Sequence, residues 1–305
     1  MYLNKNIVVF GGTGLIGSNF VELLIEKNYQ VSVFVRKQSK RTNPKVRYID
    51  WDYKNKEQIK KELENIFAVV NLTGSPISQK WSNKNLENIL KSRIETTKII
   101  VEAINDCQNP PNVLLQASAI GYYEATKQGV IDEFSDKGSG ILSQICSKWE
   151  AEAQNIREDV RLVIIRTGIV LGNEGGFLEK ITKPIENYFG TIIGTGKQIL
   201  PWIHIYDQLM AMLLLLENSS MYGVFNIVAP QNCTMEQLCK KAGKILGRPV
   251  WLKIPNFVVK LLFGKMGEEL LLSSQNIEPK FLKEAYFQWK YNKIDEALED
   301  LLNKK

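Results

Sequence analysis

A single histidine and four cysteines in 305 residues leave little material for several common chemistries. Cys107, Cys146, Cys233 and Cys239 form no CxxC pair and have one histidine to join them. Free, buried or half-buried thiols are therefore expected, with no disulfide framework and no metal site. A Ser-His-Asp hydrolase would have to use His204, and no GxSxG elbow accompanies it. Dense charge of one sign is also missing. Lys plus Arg number 39 against 33 Asp plus Glu, and the resulting +6 is scattered, which favours an anionic small ligand over nucleic acid. The longer apolar runs, such as Ala211 to Leu216, fall far short of the roughly 20 residues of a membrane helix. The short apolar run near the N-terminus lacks the small-residue site of a secretory signal. No membrane association and a cytoplasmic location are expected. Neither an internal repeat nor a low-complexity tail is present.

What is present is a globular composition, 44% hydrophobic and 24% charged, able to bury a sizeable core. Ile7-Val8-Val9-Phe10 is a continuous apolar run, as expected of a strand covered on both faces. Leu15, Ile16, Phe20, Leu23 and Leu24 then recur at helical spacing, and Val31 to Val35 gives a second strand. The alternation continues with strands near 46–49, 68–72, 113–115 and 162–165 and helices near 56–64, 85–104 and 141–156. The order predicts an α/β fold with a Rossmann-type doubly wound parallel sheet. Beyond Arg166 the pattern loosens, with an excursion near 172–200 and a strand-helix-strand near 202–227. From Thr234 the chain reads as short helices and Pro-punctuated turns. The expected division is a nucleotide-binding domain over 1–233 and a small, mostly helical substrate domain over 234–305.

Gly11-Gly12-Thr13-Gly14-Leu15-Ile16-Gly17 follows the first strand and opens a helix. Gly11 permits the turn, Gly14 lets backbone approach a pyrophosphate at the helix N-terminus, and Gly17 lets helix and strand pack closely. At the end of the second strand, 19 residues beyond Gly17, stand Arg36 and Lys37 where an NAD site would offer an acid. The pair suits a 2'-phosphate and predicts NADP(H) in preference to NAD(H); the other reading is a solvated basic loop. Asp52, after the third strand, is either an adenine contact or an ordinary loop residue.

Ser118 follows the fifth strand at the carboxyl edge of the sheet, where its hydroxyl could reach a substrate carbonyl. Tyr122 and Tyr123 lie just beyond as candidate proton donors. Lys148, in the next helix, could hold a ribose and depress a tyrosine pKa. Each has a structural alternative: a turn-capping serine, aromatics packed under a loop, a surface lysine. For His204, a ligand contact and a structurally satisfied ring are alternatives of similar weight.

With these residues placed, the chain resembles the extended short-chain dehydrogenase/reductases. Asn71-Leu72-Thr73-Gly74, Lys80-Trp81, Ser92-Arg93 with Thr96, Ser118 to Tyr123, Trp149-Glu150, Arg166 to Gly172, Trp202-Ile203-His204 with Asp207, and Phe225-Asn226 follow in order. By these motifs the chain is similar to an atypical branch of that superfamily called epimerase family protein, subfamily 39U type. Arg248-Pro249, Gly264, Pro279 and Ala297-Leu298 continue the resemblance to the C-terminus. It implies NADP-dependent oxidoreductase or epimerase chemistry on a carbonyl or secondary alcohol. Leu72, Thr73, Gly74, Arg93, Lys148 and Arg166 would join the cofactor site. Lys80, Trp81, Trp202 and His204, with Arg93, would line the substrate side, suiting an anionic or nucleotide-sugar-like small molecule. Oligomeric state is left between monomer and homodimer. Thr73, Lys80 and Glu124 depart from the branch's usual Ala, Arg and Gly. A larger departure affects mechanism: aligning the superfamily's YxxxK pair on Lys148 puts Gln144 at the tyrosine, and an amide cannot act as an acid or base. A non-catalytic NADP-binding sensor is the alternative function.

Overall fold

Successive side chains leave a strand on opposite faces, so an unbroken apolar strand needs cover on both. β1 (Asn6–Phe10) has it: Ile7 and Val9 enter one buried cluster, and Val8 and Phe10 enter another behind the sheet. The structure, a computed structural model, describes residues 5–36, 43–52, 55–173 and 175–303. After β1 come α1 (Leu15–Glu26), β2 (Gln30–Val35), β3 (Val46–Asp50), α2 (Lys56–Leu63), β4 (Ala68–Asn71), α3 (Asn83–Asn105) and β5 (Val113–Ala119). A 3-10 turn over Ile120–Tyr122, β6 (Thr126–Ile131), α4 (Ile141–Ala153) and β7 (Arg161–Thr167) follow. Next are β8 (Ile169–Leu171), α5 (Gly176–Glu186), β9 (Gly190–Ile193), β10 (Ile199–Leu200), β11 (Trp202–His204), α6 (Ile205–Glu217) and β12 (Gly223–Ile227). The remainder is β13 (Cys233–Thr234), α7 (Met235–Leu246), β14 (Val250–Ile254), α8 (Asn256–Met266), β15 (Ser274–Ile277), α9 (Lys280–Glu284) and α10 (Ile294–Leu302).

Seven strands form one sheet in the order β3-β2-β1-β4-β5-β7-β12, with every neighbouring pair parallel. Phe20, Val21 and Leu24 of α1 and Ala211, Met212 and Leu215 of α6 cover one face. Ile59 and Leu63 of α2 and Ile100, Val101 and Ile104 of α3 cover the other. The expected doubly wound Rossmann-type sheet is thus present, and its strand order reverses between β1 and β4, which opens a crevice at their carboxyl ends. Three helices end differently from their periodicity: α2 stops at Leu63, α3 runs two residues earlier and one later, and α4 stops at Ala153.

The C-terminal segment is mostly helical, yet two of its strands pair with earlier chain: β14 with β9 and β15 with β6, both parallel. Sequence alternation does not reveal β6, because all of its residues except Ile131 are exposed. A third cluster, Leu178 and Ile181 of α5, Leu238 and Ala242 of α7, and Leu298 and Leu301 of α10, ties 234–303 to the excursion. Among the described residues no helix is long and apolar enough to cross a membrane, and all four cysteines are free and buried.

Candidate active site

The glycine turn is shaped by close approach. Gly11 has φ +80°, and a Cβ on it would stand 2.7 Å from the Leu72 carbonyl. A Cβ on Gly17 would stand 2.2 Å from the Gly11 oxygen, so α1 can lie against the turn only without a side chain there. Gly12 is buried against Val33, whereas Thr13 is exposed. Gly14 differs: the nearest atom to its missing Cβ is the Gly11 oxygen at 3.6 Å, and the space beyond is open. Gly14 is also the N-cap of α1, with no capping side chain and no acid in the first turn, where Leu15, Ile16 and Gly17 sit. Uncapped helix amides facing open space fit a pyrophosphate. Arg36 is exposed directly after β2, and Asp52 is exposed just past β3. Lys37 lies outside the described residues.

The end of β4 is fixed by a buried polar network. Asn71 Nδ2 donates to Thr97 Oγ1 at 3.0 Å and to Gln116 Oε1 at 2.9 Å, and its Oδ1 accepts from the Thr73 hydroxyl at 2.6 Å. Trp149 Nε1 also donates to Thr97 Oγ1, at 2.9 Å, so β4, β5, α3 and α4 share one set of hydrogen bonds. The Leu72 amide donates to the Phe10 carbonyl at 2.9 Å, and Gly74 lies against the guanidinium of Arg93 on α3. Leu72 to Gly74 therefore touches the glycine turn at one end and Arg93 at the other.

Arg93 borders a cavity of about 250 Å³ between α4, the turn after β5 and the segment that follows α8. Its walls include Ile77, Ala119, Ile145, Cys146, Trp149 and Leu270. Arg93 Nη1 donates to the carbonyls of Ser75 (3.1 Å) and Ile89 (3.0 Å), and the guanidinium lies 5.1 Å from the Trp149 ring centre. Burial pulls its pKa below the ordinary value. Glu269, from the π-helical turn Gly267–Leu271, also borders the cavity. Its oxygens accept from the Ile141 and Leu142 amides at 3.0 and 2.9 Å, capping α4, whose own N-cap Gly140 supplies no side chain.

The expected hydroxyls are brought near one another but are engaged. Ser118 donates to Glu150 Oε1 at 2.6 Å, and that carboxylate forms a two-point pair with Arg166, both side chains buried. Arg166 Nη1 donates to the Tyr123 hydroxyl at 2.9 Å, which donates in turn to Asn226 Oδ1 at 2.8 Å. The guanidinium also lies 3.4 Å from the Tyr122 ring centre. Burial pushes the Tyr123 phenol up to about 12 despite that guanidinium. Of Ser118, Tyr122 and Tyr123, only Tyr123 borders the cavity. Arg166, expected beside the cofactor, is a buried ion-pair partner whose donors are engaged by Glu150 and Tyr123.

Lys148 is not brought to this site. An α-helix turns about 100° per residue, and Leu142, Ile145, Cys146 and Trp149 point α4 at the cavity, which leaves Gln144 and Lys148 exposed on the outer face. The inward pair at four-residue spacing is Leu142 and Cys146, and burial pushes the Cys146 thiol up to about 12. Trp202 and His204 also lie elsewhere. Trp202 is fully buried in the cluster of α5, α7 and α10. His204 Nδ1 accepts from the Tyr206 amide at 3.0 Å as the N-cap of α6, and the ring stacks on Tyr291 at 3.8 Å. Lys80 is exposed, and Trp81 Nε1 donates to the Ile77 carbonyl at 3.0 Å, shaping the loop at the cavity rim. Sequence reasoning gave no role to Glu150, Glu269, Asn71 or Gln116. An acid at the inward position four beyond Cys146 was the available sign for Glu150; for Glu269, about 130 residues from its partners, there was none.

Residues 7–228 match the NAD dependent epimerase/dehydratase family, and residues 254–301 match a domain of unknown function. An Arabidopsis thaliana protein named epimerase family protein SDR39U1 homolog, chloroplastic, is 35% identical over 300 residues, covering 97% of this chain and 86% of its own length. The crystal structure of human epimerase family protein SDR39U1 (isoform 2) with NADPH is similar at TM-score 0.88 and 28% identity, covering 98% of this chain and 100% of that one. A UDP-glucose 4-epimerase from Thermotoga maritima, 20% identical, shares the fold at TM-score 0.79, covering 98% and 99%.

Proposed function

We propose, from the premise that the chain belongs to the NAD dependent epimerase/dehydratase family, that it is an NADP-dependent oxidoreductase or epimerase acting on a carbonyl or secondary alcohol. One observation carries the reading: Leu72 to Gly74 connects the open, uncapped glycine turn to Arg93 at the cavity wall. A nucleotide site and an enclosed pocket therefore adjoin. Gly11 to Gly17 would seat the pyrophosphate, Arg36, with Lys37, would read the 2'-phosphate, Asp52 would meet the adenine side, and Leu72 to Gly74 would flank the nucleotide. The human relative's NADPH supports this cofactor. Bound there, the nucleotide supplies a hydride donor or acceptor.

The proton at the substrate oxygen is assigned to Tyr123. Its phenol stays protonated at neutral pH, which suits donation to a carbonyl oxygen in the reducing direction, and Arg166 Nη1 already contacts the oxygen that would carry the resulting charge. Donation requires its bond to Asn226 to be exchanged for one to substrate. Ser118 acts through Glu150, holding the carboxylate that orients Arg166. Residues 234–305 are assigned the capping role, since Glu269, Leu270, Ser273 and Gln275 border the cavity. A cytoplasmic location belongs to the same reading.

Calorimetric titration tests the cofactor: NADPH should bind at least tenfold tighter than NADH, with the preference lost in Arg36→Ala. Oxidation of NADPH by a panel of carbonyl compounds tests turnover, which Tyr123→Phe should abolish while nucleotide affinity is kept. One observation favours a second reading, a nucleotide sensor without turnover: the two positions four apart on α4 that border the cavity carry Leu142 and Cys146, and neither can serve as a tyrosine or lysine. Tight NADPH binding with no oxidation by any carbonyl compound would select it.

A further inference from the structure

Arg93 is a half-buried cation without a carboxylate partner among the described residues. Its Nη1 is spent on two backbone carbonyls, which fix the plane of the guanidinium together with the Trp149 ring. Among the described residues Nε and Nη2 make no hydrogen bond, and these two N–H groups are one edge of the fork that matches a carboxylate. The other charged residue at the wall, Glu269, has both carboxylate oxygens engaged by the amides that open α4. The rest of the cavity is largely aliphatic and aromatic, and about 250 Å³ lies below the roughly 300–1,000 Å³ typical of drug-sized ligands. A nucleotide sugar is too large for it. A phosphate dianion facing a single cation among apolar walls would also be poorly compensated.

We propose that Arg93 reads a carboxylate, and that the cavity takes a small monocarboxylate with an apolar body. The inference rests on the reading of the site as a substrate pocket beside a nucleotide, and it replaces the nucleotide-sugar expectation with a compact acid. Trp149, under the guanidinium, shields the charge pair from water and strengthens it.

The test uses the full chain saturated with NADPH. Hexanoate, benzoate and 4-methyl-2-oxopentanoate are titrated by calorimetry beside hexanamide, benzamide and 4-methyl-2-oxopentanamide, with UDP-glucose as a size control. The expected result is binding of the acids at least tenfold tighter than their amides. That discrimination should be lost in Arg93→Met and reduced in Arg93→Lys, which keeps charge but loses the fork. Equal affinity for acids and amides, no binding of any acid, or UDP-glucose binding tighter than the acids would overturn the proposal. So would a tenfold loss of NADPH affinity in Arg93→Met or Arg93→Lys, which would give the cation to the nucleotide. The underlying reading fails separately: wild-type protein that binds no NADPH would end it, whereas acid discrimination without NADPH oxidation would leave the carboxylate site standing.

Discussion

Arg166 Nε and Nη2 donate to the two oxygens of Glu150 at 2.9 and 2.8 Å, with the side chains 5% and 4% exposed. The pair holds α4 to β7, and Ser118 and Tyr123 are hydrogen-bonded to it. Removing one partner strands the other charge away from water. Arg166→Met should therefore cost about 3–5 kcal/mol of stability, and Glu150→Leu combined with it should recover much of the loss. Urea unfolding of the three variants measures this; a single variant as costly as the double would show that packing, not charge, dominates.

The glycine turn separates folding from binding. Gly14 has ordinary extended angles, φ −81° and ψ 173°, and room for a methyl group. Gly14→Ala should change stability by no more than about 0.5 kcal/mol while weakening NADPH by about tenfold or more, since the methyl would fill the space before the α1 amides. Gly17→Ala, whose Cβ meets the Gly11 oxygen, should instead lose about 1–3 kcal/mol of stability. Unchanged NADPH affinity in Gly14→Ala would move the nucleotide off this turn.

The register of α4 makes a third prediction. Gln144 and Lys148 face solvent, so Gln144→Tyr should leave NADPH oxidation within about twofold of the wild type and Lys148→Met should leave NADPH affinity within about twofold. A tenfold loss in Lys148→Met would show that the lysine reaches the nucleotide after all.

These cases mark what sequence can reach. The glycine turn was legible because its cause is local: a buried strand, a left-handed residue and a helix start lie within a dozen residues. The register of α4 was also legible, since Leu142, Ile145, Cys146 and Trp149 recur at helical spacing and define the buried face. A YxxxK register anchored on Lys148 conflicts with that periodicity. Trp202 and His204 stand where a strand passes into a helix, and whether such residues line a pocket or a core depends on what packs over them. Here it is α10 and Tyr291, far along the chain. The hydrogen bonds from the Ile141 and Leu142 amides to Glu269 belong to the same class of long-range pairing.

Glu133 connects the segment after β6 to β12, its Oε1 accepting from the Asn226 amide at 3.0 Å in a buried setting. Burial raises its pKa above the ordinary 4.5, against the opposing effect of that amide. For an acid shifted this way, the unfolded chain releases the proton more readily than the folded one. Its contribution to stability is therefore full below pH 4.5 and is lost as pH rises through the folded value. Glu133→Gln cannot titrate, so the stability of the wild type relative to that variant should increase as pH falls from 7 to 4, whatever the offset between them at neutral pH. Urea unfolding of both proteins across that range gives the slope. A difference that shrinks toward acid pH would mean that hydrogen bonding to the charged carboxylate outweighs its burial, and Glu133 would then be a group that stabilises β12 as an anion.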